Sequence, residues 1–140
     1  VDYPSADEEE QIMRQGTSDA LEPVKTVLHA EEILELQRIV RRVPVTDHVI
    51  SFARKLARMT RPKTPEAADF VNRWLTWGAG PRASMNLILA AKPHAILRGN
   101  YHTAAEDVVA VAEPILRHRL ILNFAAQSDG IAIEDVIKRL

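Results

Sequence analysis

Residues 74–86 read WLTWGAGPRASMN, and the residue in them that could do chemistry is Arg82. A glycine-rich turn followed by proline is a helix-start signal, because Pro81 at the first helical position loses no hydrogen bond and already has a helical φ. Arg82 then lies on the first helical turn, where its fork of N–H donors can meet an anion beyond the helix end. The helix dipole argues against a cation there, since positive charge is favoured at C-termini. This local misfit indicates either a functional contact with an anion or a structural salt bridge, and the residues alone leave both open. Gly78 and Gly80 are expected to let the backbone approach closely and the helix reorient.

Other chemistries lack their signatures. The sequence has no Gly-x-x-x-x-Gly-Lys-[Ser/Thr] to cradle phosphates. Asp7, Glu8, Glu9 and Glu10 do not follow a buried strand, as a magnesium-binding acidic pair would, and suit a helix N-terminus instead. With no cysteine there is no disulfide, thiolate nucleophile or cysteine-bound zinc. His29, His48, His94, His102 and His118 show no ligand spacing on a shared face, so no metal site is expected. Arg54, Lys55, Arg58, Arg61 and Lys63 read as a solvated basic face. Arg117 and Arg119, flanking His118 after an apolar helix, are expected to pair with carboxylates.

A net charge of −1 gives no global field toward nucleic acid or anionic lipid. No apolar stretch approaches the roughly 20 residues that cross a bilayer. A composition 46% hydrophobic and 26% charged is that of a folded domain rather than a disordered one. A cytoplasmic, soluble domain is expected, and a start at Val1 reads as an excerpt.

The elements that must position Arg82 are helical. Ser5 with Glu8 forms a capping-box pattern, starting a helix near Ala6. Residues 16–29 read as a connector, with a short extended piece at Val24 to Leu28. Leu36, Ile39, Val40 and Val43 repeat at helical spacing from Ala30 until Pro44 stops the helix. Thr46 caps the next helix, Asp47 to Met59, with Val49, Phe52, Ala53, Leu56 and Ala57 on one side. Phe70 to Trp77 reads as a short helix or turn, with Trp74 and Trp77 as core or edge packing. The helix from Arg82 to about Leu97 should turn Met85, Ile88, Leu89 and Ile96 inward and be kinked or split at Pro93. Thr103 with Glu106 repeats the capping box, and the helix that follows is bent or restarted at Pro114. Leu120 to Phe124 could be strand or helix, Asp129-Gly130 is a turn, and a last helix begins near Ala132. The sum is an all-α helical bundle.

Several short motifs, in order, resemble the C-terminal part of MoxR-family AAA+ ATPases over nearly the whole chain. They are Tyr3-Pro4-Ser5 with its acidic run, Val43-Pro44-Val45, Thr60-Arg61 and Gly80-Pro81-Arg82-Ala83. They continue with Ala95 to Gly99, Ala105-Glu106-Asp107-Val108 and Leu116 to Leu120. The resemblance implies a helical bundle of AAA+ lid type over residues 30–140, after a junction from the AAA+ core over residues 1–29. It implies that Arg82 is the sensor-2 arginine contacting nucleotide phosphate, beside Gly80 and Pro81, and that this lid helix is usually continuous where Pro93 stands. ATP and Mg2+ would be used by the full-length protein, with the Walker A and B motifs upstream and the fragment itself not catalytic. Implied partners are the upstream core, a homo-oligomeric ring expected to be a hexamer, and a von Willebrand factor A domain protein, but no nucleic acid or membrane. Two further readings are a DNA-binding module using the helix after Gly80, and a protein-interaction module with a structural Arg82.

Overall fold

A computed structural model describes residues 3–19 and 24–140; residues 1, 2 and 20–23, the last within the connector, lie outside it. The described residues fall into two compact units, one up to Ile33 and one from Leu34 to Leu140.

In the first unit, α1 (Ala6–Gly16) starts where the capping box places it. The Ser5 amide donates to Glu8 Oε2 at 2.8 Å and the Glu8 amide donates to Ser5 Oγ. The acidic residues of its first turn complement the helix dipole, and Arg14 in its last turn pairs with Glu10. Val24 to Leu28 form no strand. The helix α2 (Ala30–Arg42) begins here, with the His29 amide donating to Glu32 at 2.7 Å, and continues into the second unit.

The second unit is built around α5 (Pro81–Leu97). On it pack α3 (Asp47–Met59), α6 (Ala105–Ala110) and α7 (Ala112–Leu116). The short helix α4 (Asp69–Trp74) lies against α8 (Phe124–Ser128), and α9 (Ile133–Arg139) lies against α7. Two short strands, β1 (Leu75–Trp77) and β2 (Ile121–Leu122), pair antiparallel, Leu75 opposite Leu122 and Trp77 opposite Ile121. Thus the extended pieces sit at the end of the Phe70–Trp77 segment and inside Leu120–Phe124, not at Val24–Leu28. The fully buried centre includes Leu87, Leu116, Val71, Val108 and Val136, and each such side chain contributes roughly 1.5–3 kcal/mol relative to exposure.

The inward face of α5 differs from the expected one. Ala83, Leu87, Ala91 and Ala95 are fully buried, whereas Met85, Leu89 and Ile96 are exposed and Ile88 is half-buried. The helix is apolar on nearly every side, so sequence periodicity gives no phase. Packing selects the row spaced by four that carries the smallest side chains, because helices approach most closely there. The helix also runs unbroken through Pro93. It ends as a Schellman motif, with Gly99 at φ 80° and the Asn100 amide donating to Ala95 O at 2.9 Å.

The cap after it is shifted by one residue. Thr103 is drawn into a bridge with Val45, its amide donating to Pro44 O at 3.0 Å. Ala104 therefore becomes the N-cap of α6, and Asp107, not Glu106, accepts from its amide at 2.8 Å. The fully buried Asp107 also accepts from His94 Nδ1 at 2.8 Å and lies 3.6 Å from Arg98 Nη1. Helix α6 stops and α7 restarts at Val111, three residues before Pro114.

Burial alone would raise the Asp107 pKa, but the Ala104 amide, His94 and Arg98 outweigh it and hold it below the ordinary carboxylate value. A lowered folded-state pKa stabilises the fold above about pH 3.9, the unfolded value, and that contribution disappears as the pH falls through the folded value. Substituting Asp107→Ala should cost about 1–3 kcal/mol near neutral pH, since the Ala104 amide and His94 lose their acceptor. In urea titrations at several pH values, the gap between wild type and variant should narrow below pH 4.

Candidate functional site

The loop that carries Arg82 is held by the end of α3. Thr60, the C-cap of α3, is fully buried, and its hydroxyl donates to Ala57 O at 2.6 Å. The same hydroxyl oxygen accepts from the Ala79 amide at 2.8 Å. The next residue, Arg61, donates from Nε to Ala79 O at 2.8 Å. Both backbone groups of one loop residue are thus taken up by two consecutive residues 18 and 19 positions earlier in the chain.

Gly78 completes the contact. A Cβ on Gly78 would stand 2.2 Å from Thr60 O and 2.6 Å from Arg61 Cα, so no side chain fits against this backbone. Gly80 is different: a Cβ there would meet nothing within 4 Å, and its φ of −79° suits any residue. The expected close backbone approach therefore belongs to Gly78, while at Gly80 neither space nor backbone conformation requires a glycine.

From this anchorage the chain enters α5 through Gly80 as N-cap and Pro81 at the first helical position. Arg82 is exposed, and among the described residues it makes no hydrogen bond or ion pair. Of the other basic residues named from the sequence, Arg58, Arg61 and Arg119 have side-chain partners, whereas Arg54, Lys55, Lys63 and Arg117 have no side-chain hydrogen bond or ion pair among the described residues. Arg58 pairs with Glu66 at 2.7 Å, and Arg73 pairs with Asp129, which also accepts from Trp74 Nε1 at 3.1 Å. Arg119 bonds to Ile115 O and to the His118 ring rather than to a carboxylate. His94 is committed to Asp107.

Between the α3 end and the loop lies a cleft of about 700 Å3, lined among others by Arg61, Lys63, Asn72, Trp77, Gly80 and Pro81. Trp74 is buried in the core, with Arg139 stacked 5.0 Å above its ring, whereas Trp77 is 67% exposed on the edge of this cleft. Asn123 secures the floor. Its amide donates to Trp74 O at 2.9 Å, its Nδ2 donates to Arg73 O at 2.7 Å, and its Oδ1 accepts from the Ala126 amide at 3.0 Å.

The site is thus an exposed guanidinium at the start of the central helix, beside a backbone loop fixed to a second helix. Its geometry suits an anionic group presented from outside the bundle. It does not suit DNA reading, because the helix that would enter a groove is the buried centre of the unit.

The AAA lid domain family model matches residues 67–140, from just before α4 through α9. The chain belongs to the AAA lid domain family. The chain is also 34% identical over its whole length to the chaperone MoxR1 of Mycobacterium tuberculosis, covering 37% of that protein. It is 27% identical to the uncharacterized protein YeaC of Bacillus subtilis, over 99% of the chain and 41% of YeaC. A crystal structure of a candidate ATPase from Cytophaga hutchinsonii superposes over 99% of the chain with a TM-score of 0.80 and 25% identity, covering 42% of that structure. The chain therefore spans roughly two fifths of the length of each of these relatives.

The family match includes Gly78, Ala79 and Arg82, while Thr60 and Arg61 lie before it. Sequence spacing could not assign those two a task, since contacts so distant in the chain leave no periodic signal. Their occurrence as a motif in the MoxR resemblance was the available sign.

Substituting Gly78→Ala should lower stability by about 1–3 kcal/mol, because backbone atoms rather than a flexible side chain must yield. Gly80→Ala should change it by less than about 0.5 kcal/mol. Chemical denaturation of both variants measures the contrast.

Proposed function

We propose that this chain is the helical lid of a MoxR-type AAA+ ATPase and that Arg82 is its sensor-2 residue, reading the phosphates of a bound nucleotide. The observation that carries this is the state of Arg82: an exposed guanidinium with no partner among the described residues, on the first turn of the buried central helix. A cation at that end is disfavoured by the helix dipole unless an anion compensates it. A structural arginine would spend its donors on carboxylates or carbonyls, as Arg58, Arg61 and Arg73 do.

Phosphate oxygens match the guanidinium fork, and charge that builds on them during phosphoryl transfer is stabilised by such paired N–H donors. ATP with Mg2+ would supply the transferable phosphoryl group. This chain contributes Arg82, with Gly80 and Pro81 setting its approach, and carries no Walker A or B motif, so it does not hydrolyse ATP by itself. Residues 1–29 serve as the junction from the AAA+ core and residues 30–140 as the lid. The assembled protein works as a homo-oligomeric ring, of six subunits by family resemblance, in the cytoplasm. It has a von Willebrand factor A domain protein as partner and uses neither nucleic acid nor membrane. Among the described residues no helix is long and apolar enough to cross a membrane.

Steady-state ATP hydrolysis by the full-length protein tests this. Arg82→Ala should lower turnover at least about tenfold, or about 1.4 kcal/mol of transition-state stabilisation. The melting temperature should stay unchanged, because Arg82 makes no hydrogen bond or ion pair among the described residues. Unchanged turnover would make Arg82 scaffolding and remove the reading.

A further inference from the structure

We infer that Arg61 and Thr60 are positioning residues for Arg82, forming a two-point grip that refers the nucleotide-reading arginine to α3 as well as to its own helix. This inference rests on the sensor reading of Arg82.

The argument begins with Ala79. Loop backbone groups are ordinarily satisfied by water or by neighbours close in sequence. Ala79 is instead 1% exposed, with its N–H held by the Thr60 hydroxyl and its C=O by the Arg61 guanidinium, both at 2.8 Å. The preceding residue, Gly78, is pressed against the Thr60 carbonyl, so the loop cannot slide along the end of α3. Between Ala79 and Arg82 lie only two residues. Gly80 is extended at φ −79° and ψ −179°, and Pro81 has its φ fixed by its ring. Few soft dihedrals remain between the grip and the first turn of α5.

The chemistry of the two grips is matched to the task. The Thr60 hydroxyl donates to Ala57 O and accepts from Ala79 N, so it cannot rotate away without leaving one buried group unpaired. Arg61 contributes Nε from a planar head that lines the cleft, giving a directional bond that a smaller polar residue could not span. An arginine that reads phosphate must be placed closely, because a misplacement of about 1 Å can cost about 100-fold in rate. Loss of the grip leaves α5 packed through Ala83, Leu87, Ala91 and Ala95 but frees its first turn.

A double-mutant cycle on ATP hydrolysis by the full-length protein decides the matter: wild type, Arg82→Ala, Arg61→Met and the pair, with kcat, KM and melting temperature for each. Arg61→Met should lower kcat about tenfold with KM changed less than about twofold. In the Arg82→Ala background the same substitution should change kcat less than about twofold, because there is no longer an arginine to place. Thr60→Ser, which keeps the hydroxyl, should preserve turnover, and Thr60→Val should lower it as Arg61→Met does. Should Arg61→Met fail to fold, Arg61→Gln, too short to reach Ala79 O, takes its place in the cycle. An equal loss of kcat in both backgrounds, or losses that follow melting temperature alone, would overturn the grip while leaving Arg82 as sensor. An Arg82→Ala protein with normal turnover would overturn both.

Discussion

The fold depends on how closely other helices can approach α5. Its buried row is three alanines and one leucine, Ala83, Leu87, Ala91 and Ala95, and α3, which packs on it, buries Ala53 and Ala57. Small side chains in such a contact bring the two backbones close together, as ridge-into-groove packing requires. That proximity carries the last residues of α3 to the loop before α5. Had the larger Met85, Leu89 and Ile96 faced inward, the axes would stand further apart. Thr60 and Arg61 would then have no loop backbone within reach. The alanine row is therefore the condition for the site as well as for the core.

The two ends of α5 are finished differently, and each finish reflects what its surroundings supply. At the N-terminus no side-chain cap is present and the preceding loop is bound to α3 instead. At the C-terminus the chain closes on itself through Gly99 and then sends Asp107 back to His94 and Arg98. A fully buried carboxylate is costly unless its lone pairs are met, and here an amide, an imidazole and a guanidinium surround it. The rest of the bundle pairs α4 with α8 and α7 with α9, α7 also packing on α5.

Much of this was legible in the sequence where a local signal and the tertiary demand agree. Ser5 with Glu8 started α1, and Thr46 between Pro44 and the apolar row fixed α3 from Asp47 to Met59. Pro81 fixed the start of α5. Local reading failed where a distant partner overrides it. Thr103 has the right spacing to Glu106 for a cap, yet its backbone is taken by Pro44 and Val45, so the cap moves to Ala104 and Asp107. The face of α5 was unreadable because a helix apolar on nearly every side, with its few polar residues scattered around it, shows no clear phase. Arg82 could be singled out because it broke a rule of helix electrostatics. Thr60 and Arg61 broke none, and only their place in space shows their contacts.

The continuity of α5 through Pro93 has a mechanical meaning. Seventeen residues without a break make a rod about 25 Å long. One end is fastened beside Arg82 and the other to α6 through His94 and Asp107. Such a rod is a strut, stiff along its length and sensitive to rotation: a tilt of about 5° at one end moves the other by about 2 Å. A shift of the guanidinium at its tip is thereby linked, along one continuous helix, to the contact of His94 with Asp107 on α6.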